Sequence, residues 1–448
     1  MSAPKKTTKG EKRNYTLPII IMFALFFMIA FVTGYQNPLG SVIKKMSAGS
    51  TVMTQLGTLA NFIAYAFMGY PAGKLLQNKG YRMTALSAVS VGFIGVFITY
   101  ISGLFNPETE TGIALGIYML GAFIAGFSMC MLNTVVNPML NSLGSTPNKG
   151  NQLVQFGGSC NSLGATLAPV IVGGLLGGEA STISSANPVF YMAMIIFAVA
   201  FLVIFFTKLP EDPDLGKPKS KVSVKEALRY SHFTFGLLAI FCYVGIEVGI
   251  ANFTLQYLEN NPGVGAANAL NMSAGAIAGT VVGIYWLLML CGRFLGGVVG
   301  AKVSSRAMLI VTSIGAIVFL CLGIFAEETM VSFFGFDSAA LDFATVTIPM
   351  NAIFFVLCGL FTSVMWGAIF NLSVNGLGKY TSVASGLFMV MVCGGGIFPA
   401  IQGAIASTSL LSSFWLPVCL SAYLLLYALV LSRPSKNLPE VQEKLVEE

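Results

Sequence analysis

Apolar runs alternate with short polar segments along almost the whole chain. Twelve of these runs are long enough to cross a bilayer as a helix, which takes about 20 predominantly apolar residues. The pattern therefore predicts an all-α membrane protein with twelve transmembrane helices. The predicted spans are 17–39, 51–75, 83–104, 112–141, 151–177, 187–207, 234–258, 272–298, 306–326, 345–374, 380–407 and 411–432.

The longest polar stretch between two spans lies at 208–233 and contains three prolines and five lysines. Because it follows the sixth span, we interpret it as a cytoplasmic linker between two six-helix bundles, 17–207 and 234–432. Residues 1–16 and 433–448 are predicted to be cytoplasmic tails. The basic N-terminal tail leads into the first run without a small-residue cleavage site, so we expect that run to stay as a membrane helix.

An internal repeat indicates that the two bundles are related. Gly69 at the end of span two recurs as Gly292 at the end of span eight, 223 positions later, and Asn137 in span four recurs as Asn371 in span ten, 234 positions later. Transporters built from such parallel repeats bind their substrate near the midplane between the halves. We therefore predict two pseudo-symmetric six-helix bundles with a substrate site between them.

The charge distribution fits this topology and excludes a soluble enzyme. Only 9% of the residues are charged, whereas soluble domains carry about 25% charged residues. With both termini cytoplasmic, 22 of the 24 Lys and Arg residues lie on the cytoplasmic side, and only Lys44 and Lys45 lie outside. The positive-inside rule predicts this asymmetry. We expect a multi-pass protein of the bacterial inner membrane, whose formal charge of +6 is no sign of nucleic-acid binding.

Residues typical of catalysis are scarce. The eight cysteines lie in or beside apolar runs without metal-ligand spacing, and His232 is the single histidine. The sequence contains no phosphate-binding loop and no nucleophile–base pair. We therefore expect a transporter rather than an enzyme, without a cofactor and driven by an ion gradient; the sequence assigns no metal ligands.

Glu247 is the one acidic residue placed deep within a predicted span. A carboxylate at that depth costs on the order of 3 kcal/mol, so it is expected to face the central cavity and either pair or take up a proton. No basic side chain is predicted deep in a span to pair with it. Glu247 is therefore the candidate coupling group, with H⁺ or Na⁺ as the coupling ion. The alternative is a structural carboxyl group bonded to neighbouring helices.

The other polar groups inside the spans are mostly amides and aromatic rings. Amides offer donors and acceptors together, which suits the hydroxyls of a neutral sugar, whereas an anionic substrate would need a fixed cation. For any single Asn, an interhelical hydrogen bond is an equally good interpretation. The candidate substrate-binding residues are Asn37, Asn61, Tyr65, Asn133, Asn137, Asn161, Asn252, Gln256, Trp366 and Asn371.

Glycines and basic residues at the ends of spans two and eight form a candidate gating region. Glycine lets helices approach closely, and a basic side chain can interact with helix C-termini or with acidic groups of a neighbouring helix. The candidate gating residues are Gly69, Gly73, Arg82 and Arg293. The alternative is that the basic residues after span two only set topology.

Several motifs together resemble one known family. They are Asn137-Pro138, Asn161-Ser-Leu-Gly-Ala165, Phe241-Cys-Tyr-Val-Gly245, Gly292-Arg293-Phe294, Ile369-Phe-Asn-Leu-Ser373 and Gly394-Gly-Gly-Ile397. In these motifs, and over nearly all of 20–430, the chain resembles the fucose:proton symporter family of the major facilitator superfamily, which includes bacterial glucose/galactose transporters. The resemblance implies the major facilitator fold and cation-coupled sugar transport.

The chain departs from fucose permease at positions that bear on coupling. Where that permease has a proton-coupling Asp on span one and Glu on span four, this chain has Asn37 and Asn133, which do not titrate. Asn161 matches a sugar-contacting Asn, but Gly158 replaces the Gln one turn before it. Glu247 replaces a Gln, and in this it resembles the hexose-transporting and sodium-coupled branches. The resemblance thus implies that coupling has moved to span seven.

Three functions stay open from the sequence. The first is a symporter that imports a neutral monosaccharide, whether hexose, deoxyhexose or amino sugar, by alternating access. The second is an uncoupled sugar facilitator of the same fold, and the third is a proton-driven exporter of drugs or small metabolites. In each case the expected partners are a small molecule and the lipid bilayer, and the expected working unit is a monomer.

Overall fold

The computed structural model describes residues 15–46, 56–106, 109–144, 147–176, 182–211, 224–266, 274–300, 303–337, 342–377 and 380–433. Most of these residues are helical. Lipid offers no hydrogen-bond partners to the backbone, so a spanning segment must satisfy its N–H and C=O groups internally, as a helix does.

The described residues of the first half form six long helical elements and one short one. Its α-helices are α1 (Thr16–Gly34), α2 (Gln36–Met46), α3 (Leu56–Ser102), α4 (Thr111–Leu143), α5 (Pro147–Leu176) and α6 (Asn187–Phe206), with a 3₁₀ turn at Ile183–Ala186. The backbone of α3 leaves helical geometry at Gly80, where φ is 82°. This left-handed conformation favours glycine, and it divides α3 into the limbs 56–79 and 81–102.

Among the described residues, each half has six crossings, and several crossings of the second half are interrupted. Its α-helices are α7 (Val224–Ala227), α8 (Ser231–Asn260), α9 (Pro262–Ala266), α10 (Ala274–Val299), α11 (Ser305–Phe325), α12 (Met350–Thr362), α13 (Met365–Val374), α14 (Thr381–Val390), α15 (Gly394–Ala406) and α16 (Trp415–Leu426). The pairs α12–α13 and α14–α15 each form one crossing. Short turns occupy Met391–Cys393 and Leu411–Phe414, and a π-helical turn follows α16 at Tyr427–Leu431.

The prediction of twelve transmembrane helices is confirmed. Within the described residues, ten helical segments are long and apolar enough to cross a membrane. One of them is α3, whose 47 residues provide two crossings, and the 30-residue helix α5 provides the twelfth. Within the described residues, the predicted limits hold to within a few residues except at the first span, where helix α2 continues to Met46, and at the start of the tenth span. Residues 51–55 of the predicted second span lie outside the described part of the structure.

A β-hairpin between α11 and α12 was not predicted. Residues 345–349 were assigned to the tenth span, but they belong to strand β2 (Asp342–Pro349), which pairs antiparallel with β1 (Met330–Asp337). The side chains of Val346 and Ile348 are buried and Thr345 is exposed, an alternation typical of a strand. The hydropathy of the run concealed this alternation because the strand leads directly into the apolar helix α12.

The two halves pack against each other along two pairs of helices. Helix α5 packs on α10, and the limb 56–79 of α3 packs on α14 and α15. We call the membrane face that carries Glu211 and Arg229 the linker side and the opposite face, which carries the β-hairpin, the hairpin side. Consecutive crossings alternate between these faces, so every helix can be oriented relative to them.

Gly69 and Gly73 lie where the halves approach most closely on α3. A Cβ atom at Gly69 would lie 2.8 Å from the backbone nitrogen of Val390 on α14. A Cβ atom at Gly73 would lie 3.7 Å from the Cα atom of Gly386, which is an ordinary contact. Of these two positions, only Gly69 is therefore one at which any side chain would push the halves apart.

The loop between the two limbs of α3 is fastened within its own half. The Glu211 carboxylate accepts hydrogen bonds from the backbone N–H groups of Tyr81 at 2.7 Å and Arg82 at 2.9 Å, which caps the start of the limb 81–102. The Arg82 guanidinium donates to the carbonyls of Ile204 and Phe205 at the end of α6. Arg82 thus connects α3 to the end of α6 within the first half.

Candidate functional site

A buried ion pair lies at the centre of the second half. Glu247 is the seventeenth of the 30 residues of α8, and its Oε1 atom lies 3.1 Å from Nη2 of Arg293 on α10. The side chains are only 14% and 9% exposed. The expectation that no basic side chain would reach Glu247 is therefore wrong, because Arg293 lies inside α10 and its long side chain extends to α8.

Arg293 also binds the first half of the chain. Its Nη1 atom donates to the Gly158 carbonyl and to the Ser162 hydroxyl on α5, both at 2.9 Å. Its Nε atom donates to the Ser363 carbonyl at 3.3 Å, at the break between α12 and α13. A planar guanidinium presents fixed N–H donors in several directions, so one side chain joins three helices here. Arg293 is thus a direct link between the two halves.

Gly158 provides the space that Arg293 occupies. A Cβ atom at this position would lie 3.3 Å from Cδ of Arg293. A larger side chain would displace the guanidinium from the Gly158 carbonyl. The local sequence of α5 therefore permits the contact between the halves.

Two buried tyrosines surround the ion pair. The Tyr285 hydroxyl donates to the backbone carbonyl of Glu247 at 3.2 Å and shares a hydrogen bond of 3.1 Å with Thr362. Tyr243 lies one turn before Glu247 on α8, and its ring is fully buried. Both side chains are fully buried, and the hydrogen bond of Tyr285 joins α10 to α8 beside the ion pair.

The first half contributes a chain of neutral groups. The Asn133 amide donates to the Tyr65 hydroxyl at 3.1 Å, and the Asn137 amide donates to the Asn133 carbonyl at 2.9 Å. Helix α4 carries both asparagines on one face because they are four residues apart. Three of the candidate substrate-binding residues thus form one connected group.

A narrow cleft lies between the halves and borders this group at Asn137. Its lining comprises Asn137, Asn141, Val154, Trp366, Gly367, Phe370 and Asn371. The Trp366 ring packs edge-on against the Tyr243 ring, with centroids 6.2 Å apart. A continuous path of side chains therefore runs from Asn133 through Asn137 and Trp366 to Tyr243 and Glu247.

Other candidate residues lie apart from this path. Asn61 is buried and donates to the Ala122 carbonyl at 3.3 Å, and the Asn161 amide donates to the Phe26 carbonyl on α1 at 3.0 Å. Both amides thus join helices within the first half. The Asn37 side chain lies outside the described part of the structure.

Asn252 and Gln256 lie on another face of α8. With about 100° of rotation per residue, they are turned roughly 140° and 180° from Glu247. Neighbouring positions on that face contact α15: a Cβ atom at Gly249 would meet the Gln402 side chain, and one at Gly245 would meet Phe398. The Gln256 amide is buried and makes no hydrogen bond within the described residues.

Sequence reasoning missed Ser162 and Tyr285, which hold the two members of the ion pair. A hydroxyl inside an apolar helix gives no signal of its own, because such groups usually bond to their own backbone. The signal for Arg293 was present, since it lies inside the predicted span 272–298. Within the described residues, no group of His, Cys, Asp and Glu side chains could hold a metal ion.

Comparisons with known proteins agree with this architecture. The sequence profile of the Major Facilitator Superfamily matches residues 19–398. A glucose/galactose transporter of Brucella abortus is 28% identical over 440 residues, covering 96% of this chain and 98% of that protein. The L-fucose-proton symporter of Escherichia coli K12 is 23% identical over 458 residues, covering 96% of each.

Solved structures of an Escherichia coli fucose:proton symporter share the fold. One crystal structure superposes with a TM-score of 0.69 at 20% identity, covering 93% of this chain and 98% of that one. A second, in the outward conformation, gives 0.68 at 19% identity. The resemblance inferred from the motifs is confirmed, and so is the expectation of a transporter rather than an enzyme, because the relatives reported are transporters.

Proposed function

Since the chain belongs to the Major Facilitator Superfamily, we propose that it imports a neutral monosaccharide together with a cation. In this proposal Glu247 is the group that couples the two movements. The observation that carries this proposal is the Glu247–Arg293 pair, whose arginine also binds α5 of the other half. A charge change at Glu247 thereby acts directly on a contact between the halves.

The proposed coupling step follows from the hydrogen bonds of Arg293. While Glu247 is ionised, it holds the guanidinium in place, and Nη1 ties α5 to α10. Binding of a proton or Na⁺ neutralises the carboxylate and leaves a buried cation without its counter-charge, which is strongly unfavourable. Arg293 then leaves Gly158 and Ser162, and the linker side opens. Discharge of the cation on that side restores the pair and the closed contact.

A neutral cargo fits the electrostatics of the path. Glu247 and Arg293 together carry no net charge, so Arg293 is not a free cation for a phosphate or a dicarboxylate. Amides of Asn133, Asn137 and Asn371 offer donors and acceptors for hydroxyl groups, and Trp366 offers a ring face. The relatives named glucose/galactose transporter and L-fucose-proton symporter support a sugar, and the symporter name supports H⁺ as the ion.

The same proposal includes the orientation of the protein in the membrane and the movement of its two bundles. We assign the linker side to the cytoplasm of a bacterial inner membrane, with both termini inside, because it carries most of the Lys and Arg residues. Residues 17–207 and 234–432 then rock as two bundles about the central path, joined by 208–233. The working unit is a monomer.

The experiment uses purified protein in proteoliposomes. Uptake of labelled hexoses, deoxyhexoses and amino sugars is measured with an imposed pH gradient, an imposed Na⁺ gradient or neither. The proposal predicts accumulation of at least one neutral sugar above its external concentration in one of the gradients. Equilibration without accumulation would favour the uncoupled facilitator. Proton-driven outward movement of amphipathic cations or other metabolites, without sugar uptake, would favour the exporter.

A further inference from the structure

The β-hairpin has one buried and one exposed face. Val346 and Ile348 on β2 are fully buried, and β1 and β2 pack against α10 and α9 respectively. On the opposite face, Phe334 is 76% and Phe343 is 81% exposed. The register places Phe336 opposite Phe343, so three phenylalanines share the outward face. Such a face is unusual in water and requires an apolar partner.

The position of the hairpin relative to α10 gives its depth. The Thr280 hydroxyl donates to the Phe336 carbonyl at 3.1 Å. Thr280 lies about 9 Å along the axis from the hairpin-side end of α10, which is about 39 Å long, whereas the hydrocarbon core is about 30 Å thick. This part of the hairpin therefore lies near the boundary between headgroups and hydrocarbon.

Two further observations restrict the partner. The hairpin has two strands and hence unpaired backbone groups at its edges, which the hydrocarbon core does not tolerate but the hydrated headgroup layer does. At the same membrane face, Phe325 at the end of α11 is 73% exposed and packs against Trp415, with centroids 5.8 Å apart. Exposed aromatic side chains thus occur at this membrane face on both the hairpin and the spanning helices.

We propose that the outward face of the hairpin is a lipid-binding surface, with Phe334 and Phe343 inserted into the headgroup layer of the bilayer beside α10. The strands lie in the interface and the aromatic rings point toward the acyl chains, as they do in interfacial amphipathic segments. The surface fixes the second half to one leaflet while the first half moves. This role is independent of the cargo and of the coupling ion.

The test measures the depth of single labelled sites. Cys291 and Cys419, the two exposed cysteines, are replaced by Ser, and an environment-sensitive fluorophore is attached to Phe343→Cys or, separately, to Phe334→Cys in phosphatidylcholine vesicles. Phe325→Cys is the lipid control. Thr109→Cys is the water control, because Thr109 is an exposed loop residue at the same membrane face. Labelling of the parent protein is subtracted.

The proposal predicts that labels at both hairpin sites lose fluorescence to lipids brominated near the headgroup, as the label at Phe325→Cys does, and are protected from aqueous iodide. Lipids brominated near the bilayer centre quench less. Quenching by iodide alone, as at Thr109→Cys, would overturn the proposal. Protection from both quenchers would overturn it as well, because a protein surface such as a second copy would then cover the face. The two sites lie on different strands, so each reports even if the other variant misfolds.

Discussion

The interiors of the two halves use polar groups in different ways. In the first half, the amides of Asn61 and Asn161 bond to helix carbonyls of the same half, and none of the polar groups described in the central path of this half is charged. In the second half, Glu247 and Arg293 form a buried ion pair, and Arg293 binds α5 across the interface. A neutral amide that bonds within its own half has no charge to gain or lose. The contact of Arg293 with α5, in contrast, depends on the charge of Glu247 and on the distance between the halves.

This difference assigns different tasks to the halves. In the proposed function, the amides of Asn133 and Asn137 in the first half line the path, whereas Glu247 in the second half controls the contact between the halves through its charge state. The glycines of α3 and α14 complete the arrangement, since they let the halves close on the linker side. The predictions that follow test this division.

The largest effect is expected from Arg293→Ala. The substitution leaves an uncompensated buried carboxylate, which costs about 3–5 kcal/mol, and it removes the link to α5. We expect a loss of that order in the free energy of unfolding, measured by denaturant titration in detergent, together with loss of transport. The double variant Arg293→Ala with Glu247→Gln should regain most of the stability but not coupled transport. Full stability of the single variant would contradict the role of the pair.

Gly69→Val should separate the halves on the linker side. Its side chain would meet the backbone of α14, and overpacking costs about 1–3 kcal/mol, which shifts a two-state equilibrium about 5- to 150-fold. The measurement is the labelling rate of Val154→Cys, in the cleft, by a membrane-impermeant thiol reagent applied from the linker side. Gly73→Ala is the matched control, because a Cβ atom fits there. Equal labelling in both variants would refute closure at Gly69.

Asn133→Ala should weaken sugar binding while coupling is kept. The variant loses the hydrogen bond to Tyr65 and a donor on the path, and one hydrogen bond contributes about 1 kcal/mol or somewhat more. We expect binding about tenfold weaker, measured by calorimetry with the sugar identified in the uptake assay. Unchanged affinity would show that the sugar does not contact this wall.

Asn161→Ala should have the smallest effect. Its amide already bonds to the Phe26 carbonyl on α1, so its removal should cost about 1 kcal/mol of stability and weaken sugar binding less than Asn133→Ala does. Thermal unfolding and the same calorimetric titration measure the two quantities. A larger loss of sugar affinity in Asn161→Ala than in Asn133→Ala would contradict this order and would place the sugar closer to α5.

The sequence is sufficient to predict the spans, the two halves and the position of Glu247 deep within a helix, since each leaves a local signal. An apolar run of the right length needs no tertiary information, and a lone carboxylate within it is conspicuous. Asn252 and Gln256 could have been separated from Glu247 by helical rotation alone, because separations of five and nine residues place them on another face.

Arg293 and the hairpin were misinterpreted for different physical reasons. The sequence places Arg293 near the end of a span. The position of its charge depends on the length of the side chain and on the packing of α10 against α8, and that packing is a property of the fold. In β2, Val346 and Ile348 alternate with polar residues, yet the adjoining helix α12 gave the whole segment the hydropathy of a span. Sequence periodicity alone therefore predicts neither the Glu247–Arg293 ion pair nor the pairing of β1 with β2.

Proteoliposomes with Glu247→Gln test whether the charge of Glu247 couples a cation gradient to sugar movement. Two quantities are compared with the wild type: sugar exchange without a gradient, and accumulation driven by the pH or Na⁺ gradient that works for the wild type. We expect the variant to retain exchange and to lose driven accumulation, because its side chain cannot change charge. Accumulation equal to that of the wild type would contradict it.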